Sequence, residues 1–255
     1  MRRLFIFIAV VALIAAFAPS ASAARLTAAD FAADCNADGV VEVSGTQRYV
    51  GGSGAIKGDC TITMEPGSKL VLRNASITST GSLVAISSPA DTKIRIIRSS
   101  ITVAGALELT AGCCSGEGDG SESDGKVVVR RSHLVAASVQ LVASFDDANG
   151  KVSVRRSSIT ATDGDIQIRA SDLAGTEGHV RVKRSQLTAA GDLQIRTGEA
   201  GKTRVVRNVA AIEGSVEVST GEDGHCRSRR NTPELPCGAA EPAPEPDPIP
   251  GDDGL

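Results

Sequence analysis

The chain has 255 residues, a formal net charge of −3 and 2% aromatic residues, with no tryptophan. The acidic balance argues against nucleic acid as a partner. The scarcity of aromatic rings argues against an aromatic-lined sugar cleft, and it leaves an aliphatic core built from Val, Ile, Leu and Ala.

Residues 1–23 have the pattern of a secretory signal peptide. Arg2 and Arg3 precede an apolar run, and Ala21-Ser22-Ala23 then offers small residues to a signal peptidase. The run is short for a membrane span, which needs about 20 apolar residues. We therefore expect a secreted or periplasmic protein with no transmembrane segment after signal cleavage.

The next segment, 24–61, is predicted to be an N-terminal cap in which only Ala28 to Ala33 show a helical pattern. Cys35 and Cys60 flank this segment, and Cys226 and Cys237 flank a second predicted cap at 225–238. An even number of cysteines in an exported chain favours disulfides, so we predict one local bond at each end.

Between the caps, residues 62–224 contain about six imperfect repeats, each marked by an Arg-Ser or Arg-Asn dipeptide. The dipeptides recur every 23 to 33 residues, beginning at Arg73, Arg98, Arg131, Arg156, Arg184 and Arg207. Each repeat holds three short stretches of alternating polarity, which are typical of strands with one buried face. A stack of such units shares one core. The sequence predicts an all-β fold, a single parallel β-solenoid of about six coils with disulfide-stapled ends. An antiparallel sandwich is the rival, but it does not predict the same residue types at the same place in every copy.

The repeated units V-x-V-x-R-[SN]-x-[IL] and G-[DS]-[ILV]-x-[ILV] resemble those of the right-handed parallel β-helix, or pectin-lyase-like, superfamily. The resemblance extends over about Ile62 to Gly221 and implies a right-handed fold, not an activity. Carbohydrate cleavage is the commonest enzymatic use of the superfamily. Asp165 and Asp192, which occupy equivalent places in adjacent coils, form the alternative catalytic pair. The Gly-His-Gly and Arg-Ile-Lys motifs of polygalacturonases and pectate lyases are missing.

Residues 239–255 are acidic and rich in proline, and we expect a disordered tail there. The adjacent Cys113 and Cys114 leave three possibilities open, namely a vicinal disulfide, free thiols or an intermolecular bond.

Stacking the repeats places a column of arginines on the surface. The column contains Arg98, Arg131, Arg156, Arg184 and Arg207, with Arg155 and Arg181 beside it. A file of guanidinium groups suits a repeating polyanion such as an acidic polysaccharide or envelope glycan; the alternative is a solvated face. Acidic loops precede the first strand of each repeat, and Asp119, Glu122 and Asp124 in the longest are calcium candidates. The alternative is a set of solvated turns, in which the lysine or histidine after each loop offsets its acid.

No cofactor or dedicated metal site is predicted, and the sequence does not specify the oligomeric state. The leading interpretation is a non-catalytic exported solenoid that serves as a structural or binding module at the cell envelope, with an anionic glycan as ligand of the arginine column. One alternative is a polysaccharide lyase or hydrolase of the β-helix type. The other is a self-associating, adhesin-like surface protein.

Overall fold

The computed structural model describes residues 26–87, 91–112, 124–144, 149–171 and 177–239. Three parallel sheets, here called A, B and C, run side by side, and each coil of the chain adds one strand to each sheet in that order. The predicted all-β parallel solenoid is confirmed, with an architecture consistent with the right-handed parallel β-helix. The stack has about seven coils, one more than predicted.

The strands of each sheet follow one another along the solenoid axis. Sheet A consists of β1 (Val40–Val43), β4 (Cys60–Met64), β7 (Leu83–Ser87), β10 (Ala106–Ala111), β13 (Ser138–Ala143), β16 (Ile166–Ala170), β19 (Leu193–Thr197), β22 (Val216–Thr220) and β24 (Gly238–Ala239). Sheet B consists of β2 (Thr46–Val50), β5 (Lys69–Arg73), β8 (Lys93–Ile97), β11 (Lys126–Arg130), β14 (Lys151–Arg155), β17 (His179–Lys183), β20 (Lys202–Val206) and β23 (His225–Arg229). Sheet C consists of β3 (Ser53–Ile56), β6 (Ser76–Ser79), β9 (Ser100–Val103), β12 (His133–Ala136), β15 (Ser158–Ala161), β18 (Gln186–Ala189) and β21 (Val209–Ile212).

The core lies inside the triangle formed by the three sheets and is aliphatic, as composition predicts. In β14, Val152 and Val154 are fully buried while Ser153 between them faces outward. The same residue types meet in successive coils, because Val152 pairs with Val127 on one side and Val180 on the other. Each fully buried Val, Leu or Ile contributes about 1.5–3 kcal/mol of transfer free energy, so the stacked rows supply most of the stabilisation.

The Arg-Ser dipeptide forms the turn from sheet B to sheet C. Its arginine has a left-handed backbone, and its serine is buried and accepts a hydrogen bond from the coil before. Ser157 Oγ accepts from the backbone N–H of Ser132 at 3.3 Å, and Ser185 Oγ accepts from that of Ser157 at 3.4 Å. Asn208 and Asn231 continue this ladder with side-chain amide oxygens. Buried backbone groups need partners, which explains why Ser or Asn follows the arginine.

One repeat was aligned incorrectly from the sequence. Arg73 pairs with Ile97, so Asn74, and not Arg73, is the equivalent of Arg98. The first coil has no dipeptide at all, because Gly51-Gly52 stands at this turn. Glycine and asparagine tolerate a left-handed backbone more readily than other residues, so these coils reach the same turn with a different sequence.

The N-terminal end of the stack is covered by helix α1 (Ala28–Asp38), which is longer than the predicted helical stretch. Thr27 and Asp30 form a capping box at its start, and Phe31 packs edge-to-face on Tyr49 of β2 with ring centroids 5.1 Å apart. Asn36 donates to the carbonyl of Ala55 at 2.8 Å. The helix thereby shields the edge strands of the first coil, which would otherwise offer unpaired backbone groups.

Both predicted terminal disulfides are confirmed. Cys35 in α1 bonds Cys60 in β4, and Cys226 in β23 bonds Cys237 just before β24. Such bonds fit a protein of an oxidising, extracytoplasmic compartment. The predicted signal peptide, the tail beyond Ala239 and Cys113-Cys114 lie outside the described residues. In the described ranges, no helix has the length and apolarity needed to cross a bilayer.

Candidate functional site

One side of the solenoid carries nearly all of the described cations. Of the 24 lysines and arginines in the described ranges, 21 lie on the outer surface of sheet B or on the turn that follows it, and we call these 21 side chains the basic face. They form four rows along the axis. The first row is Lys69, Lys93, Lys126, Lys151 and Lys202; the second is Arg48, Arg95, Arg181, Arg204 and Arg227; the third is Arg73, Arg130, Arg155, Lys183 and Arg229; the fourth is Arg98, Arg131, Arg156, Arg184, Arg207 and Arg230.

The fourth row, which we call the arginine corner, contains the five arginines predicted to form a column, together with Arg230. Arg155 lies in the third row and Arg181 in the second. All six corner side chains are exposed. With coils about 4.8 Å apart, the six span roughly 24 Å.

Every arginine of the corner has a backbone conformation that arginine rarely adopts. The φ angles lie between 53° for Arg98 and 58° for Arg207. A left-handed backbone costs a residue with a β-carbon about 1–2 kcal/mol, and the first two coils reach the same turn with Gly51 and Asn74. The six arginines are therefore not required by the turn. Strain that is kept at successive positions points to a role for the side chains.

Among the described residues, no acid compensates the charge of the basic face. No aspartate or glutamate lies in any strand of sheet B. None of the 21 cations forms an ion pair or a side-chain hydrogen bond within the described part of the chain. Repulsion from neighbouring arginines, Arg130 foremost, lowers the pKa of Arg131. Burial, followed by repulsion from lysines of the adjacent coils, lowers the pKa of Lys126. Cations held together without counter-charges favour an anion from outside.

A shallow depression lies at the C-terminal end of the basic face. Its volume is about 260 Å³, and it spans the second, third and fourth rows of the last coils. Its lining consists of Lys183, Arg204, Val206, Arg207, Arg227, Arg229 and Arg230. The guanidinium groups here can donate paired hydrogen bonds to a carboxylate, sulfate or phosphate.

The acidic loops lie at the opposite edge of sheet B from the arginine corner. The described acids are Asp91, Asp124 and Glu177. They precede the strands and lie next to the first row, which we call the lysine row, and a five-residue strand separates them from the corner. The lysines do not form ion pairs with them. For these three described acids, the interpretation that a lysine offsets the acid of its own loop is not supported as a direct contact.

Asp165 and Asp192, the alternative catalytic pair, stack at the turn from sheet C to sheet A. The Oδ1 atom of Asp165 accepts the backbone N–H of Asp192 at 2.7 Å, and Oδ1 of Asp192 accepts that of Ser215 at 2.7 Å. The bond from Ser215 lowers the pKa of Asp192. A general acid of a glycosidase needs a raised pKa. The geometry therefore gives both carboxylates a structural role, in which each links the turn from sheet C to sheet A with the same turn of the next coil.

The metal candidates are not brought together in the described structure. Asp119 and Glu122 lie outside the described residues, and Asp124 donates its backbone N–H to Asp91 at 2.9 Å. Within the described ranges, no three His, Cys, Asp or Glu side chains cluster in a way that could hold an ion. His179 and His225 lie in the same row as the lysines, with Lys202 between them.

Comparison with known proteins leaves the site to be interpreted from its own geometry. The chain matches no protein-family model, no curated protein and no solved structure.

Sequence reasoning missed two features of the site. The lysine row was interpreted as a counterpart of the loops, although lysines at the first strand position of five repeats already indicate a row. Arg230 was missed because the Arg230-Asn231 dipeptide was assigned to the cap, whereas Asn231 is a rung of the buried ladder.

Proposed function

We propose that the protein is a non-catalytic exported β-solenoid that binds an anionic glycan of the cell envelope or its surroundings through the basic face. One observation carries this proposal: in the described part of the chain, 21 cations without an ion-pair partner lie in four rows on a sheet whose strands contain no acid. A repeating polyanion offers charges at regular intervals, which a repeating array of cations can meet at many points at once.

One feature of sheet B favours a glycan over single-stranded nucleic acid. The outer surface of sheet B carries no Phe, Tyr or Trp side chain on which bases could stack, since Tyr49 points inward and is buried, and its two imidazoles, His179 and His225, lie two coils apart. Stacking on aromatic rings is a main source of affinity for single strands.

Helix α1 covers the first coil, which disfavours end-to-end self-association as the main activity.

The test is binding of the secreted protein to immobilised polygalacturonate across salt concentrations, with neutral dextran as the negative control. We expect binding that weakens as salt screens the charges and no binding to dextran. The variant Arg156→Gly/Arg184→Gly/Arg207→Gly should lose roughly tenfold or more in affinity, from three lost surface ion pairs.

The matched control removes one positive charge that lies outside the basic face. Arg156→Gly alone is compared with Lys57→Gln, because Lys57 is exposed and lies outside sheet B. Equal losses in the two variants would indicate an effect of net charge and contradict a site. Tighter binding to single-stranded DNA than to polygalacturonate at the same salt would overturn the glycan assignment. Reducing ends or unsaturated products released from the polymer would overturn the non-catalytic part.

A further inference from the structure

The arginine corner borders a neutral surface, the outer face of sheet C. No strand of sheet C contains Lys, Arg, Asp or Glu. Its outward side chains form two rows parallel to the corner, made mostly of small hydroxyl groups. The row nearer the corner contains Ser76, Ser100, Ser158 and Gln186, and β12 adds His133 to it. The farther row contains Thr78, Thr102, Thr160 and Thr188, and β12 adds Val135 to it.

The polar side chains of these rows are available to a ligand. Thr78 Oγ1 lies 3.5 Å from the carbonyl oxygen of Gly54. The other Ser, Thr and Gln side chains of the two rows form no hydrogen bond within the described part of the chain. Ser76, Thr78, Thr102 and Gln186 are exposed and the rest are half-buried. The surface is therefore flat, neutral and rich in uncommitted hydrogen-bonding groups.

The distribution of charge makes this boundary different from the other two corners of the coil. The turn from sheet C to sheet A carries Asp165 and Asp192, and the loops before sheet B carry Asp91, Asp124 and Glu177. Among the turns of the described ranges, the one between sheets B and C is lined by arginines. A polyanion that follows the solenoid axis is repelled at two corners and attracted at the third.

We propose that a carboxylated glycan lies along the arginine corner, parallel to the solenoid axis, with its carboxylates on the arginines and its hydroxyl groups on the rows of sheet C. This rests on the proposed function and adds how the neutral part of the ligand is recognised. Arginine and hydroxyl groups both repeat at the coil spacing of about 4.8 Å. Four residues separate Arg156 from Thr160, at most about 14 Å of chain, so one sugar chain can meet both rows.

The experiment compares two polycarboxylates, of which only one carries hydroxyl groups. Polygalacturonate and polyacrylate of similar length are titrated against the full chain and against Thr160→Val/Thr188→Val. Valine keeps the branched shape of threonine and suits a strand, and Val135 already occupies the same row between Thr102 and Thr160. The matched control is Thr61→Val/Thr63→Val, which removes two outward hydroxyls from sheet A.

We expect the sheet C variant to lose about tenfold in affinity for polygalacturonate, from two lost hydrogen bonds, with unchanged affinity for polyacrylate. The sheet A variant should bind both polymers as the wild type does. Unchanged binding of polygalacturonate by the sheet C variant, or an equal loss for both polymers, would overturn the proposed contact while the basic face remains the binding site. Failure of the wild type to bind either polymer would instead overturn the proposed function itself.

Discussion

The arginine corner makes an unusual prediction: removing its side chains should stabilise the fold. In Arg156→Gly/Arg184→Gly/Arg207→Gly, each backbone N–H keeps its bond to the next coil, as Arg156 N–H does to the carbonyl of Lys183 at 3.0 Å. Glycine relieves about 1–2 kcal/mol of left-handed strain, which stabilises the fold. It also makes the unfolded chain more flexible, which destabilises the fold by about 0.5–1 kcal/mol. The net gain is about 0.5–1 kcal/mol per site, or about 2 kcal/mol for three.

Thermal unfolding followed by circular dichroism measures the effect. For a domain of this size, about 2 kcal/mol raises the midpoint by about 4–8 °C. The matched control is Arg155→Gly, which removes the same charge one residue earlier, within strand β14, where glycine costs about 0.5–1 kcal/mol. The control should lower the midpoint. A lower midpoint in the triple variant would show that the arginines support the turn, and it would refute the inference that their strain is kept for binding.

Three further predictions concern the frame that holds the basic face. Ser157→Ala leaves a buried backbone N–H without a partner and should cost about 1–3 kcal/mol in denaturant unfolding, whereas Ser158→Ala next to it, on the surface, should have little effect. Replacing Cys35 and Cys60 by alanine opens a loop of 25 residues and should lower the free energy of unfolding by about 3 kcal/mol. The pKa of Asp192 is lowered in the folded state, so its contribution is present above the unfolded value of 3.8 and is lost as pH falls through the folded value. Asp192→Asn should therefore lower the stability at pH 7, and the difference from the wild type should disappear in acid, below about pH 4.

Each of these has an outcome that would contradict it. Equal stability of the two serine variants would mean that the ladder does not satisfy the buried backbone. A cysteine variant as stable as wild type would mean that the N-terminal cap is held by α1 packing alone. An unchanged acid profile in Asp192→Asn, with a control such as Glu213→Gln measured beside it, would mean that the turn bond is not coupled to folding.

The solenoid could be predicted from the sequence because two signals agree in every copy. Alternation at Val152 and Val154 gives the inward face, and recurrence of the same dipeptide gives the parallel stacking. The length of each insertion before sheet B does not disturb this reading, since loops vary while the strands keep their register. The first coil, which the sequence assigns to the N-terminal cap, lacks the Arg-Ser dipeptide because Gly51-Gly52 forms the same backbone turn.

The site was predictable only in part, because its meaning depends on conformation. The sequence shows that Arg131 and Arg156 stack, but a dipeptide repeat does not reveal that both have positive φ. That conformation is what separates the arginine corner from an ordinary solvated row. Similarly, Asp165 and Asp192 look like a pair of acids, and only the hydrogen bonds to the next coil show what each carboxylate does.

Net charge concealed the basic face, and the distances explain why. At physiological ionic strength an exposed charge acts over about 8 Å. Neighbouring arginines of the corner are about 4.8 Å apart, whereas a five-residue strand of about 16 Å separates the corner from the acidic loops. An anion at the corner therefore interacts with the arginines and is largely screened from the acids. The value of −3 sums charges that act on different surfaces, so it is no ground for excluding nucleic acid. The ground is chemical: sheet B presents no Phe, Tyr or Trp ring to a base, and sheet C offers hydroxyl groups where a sugar would lie.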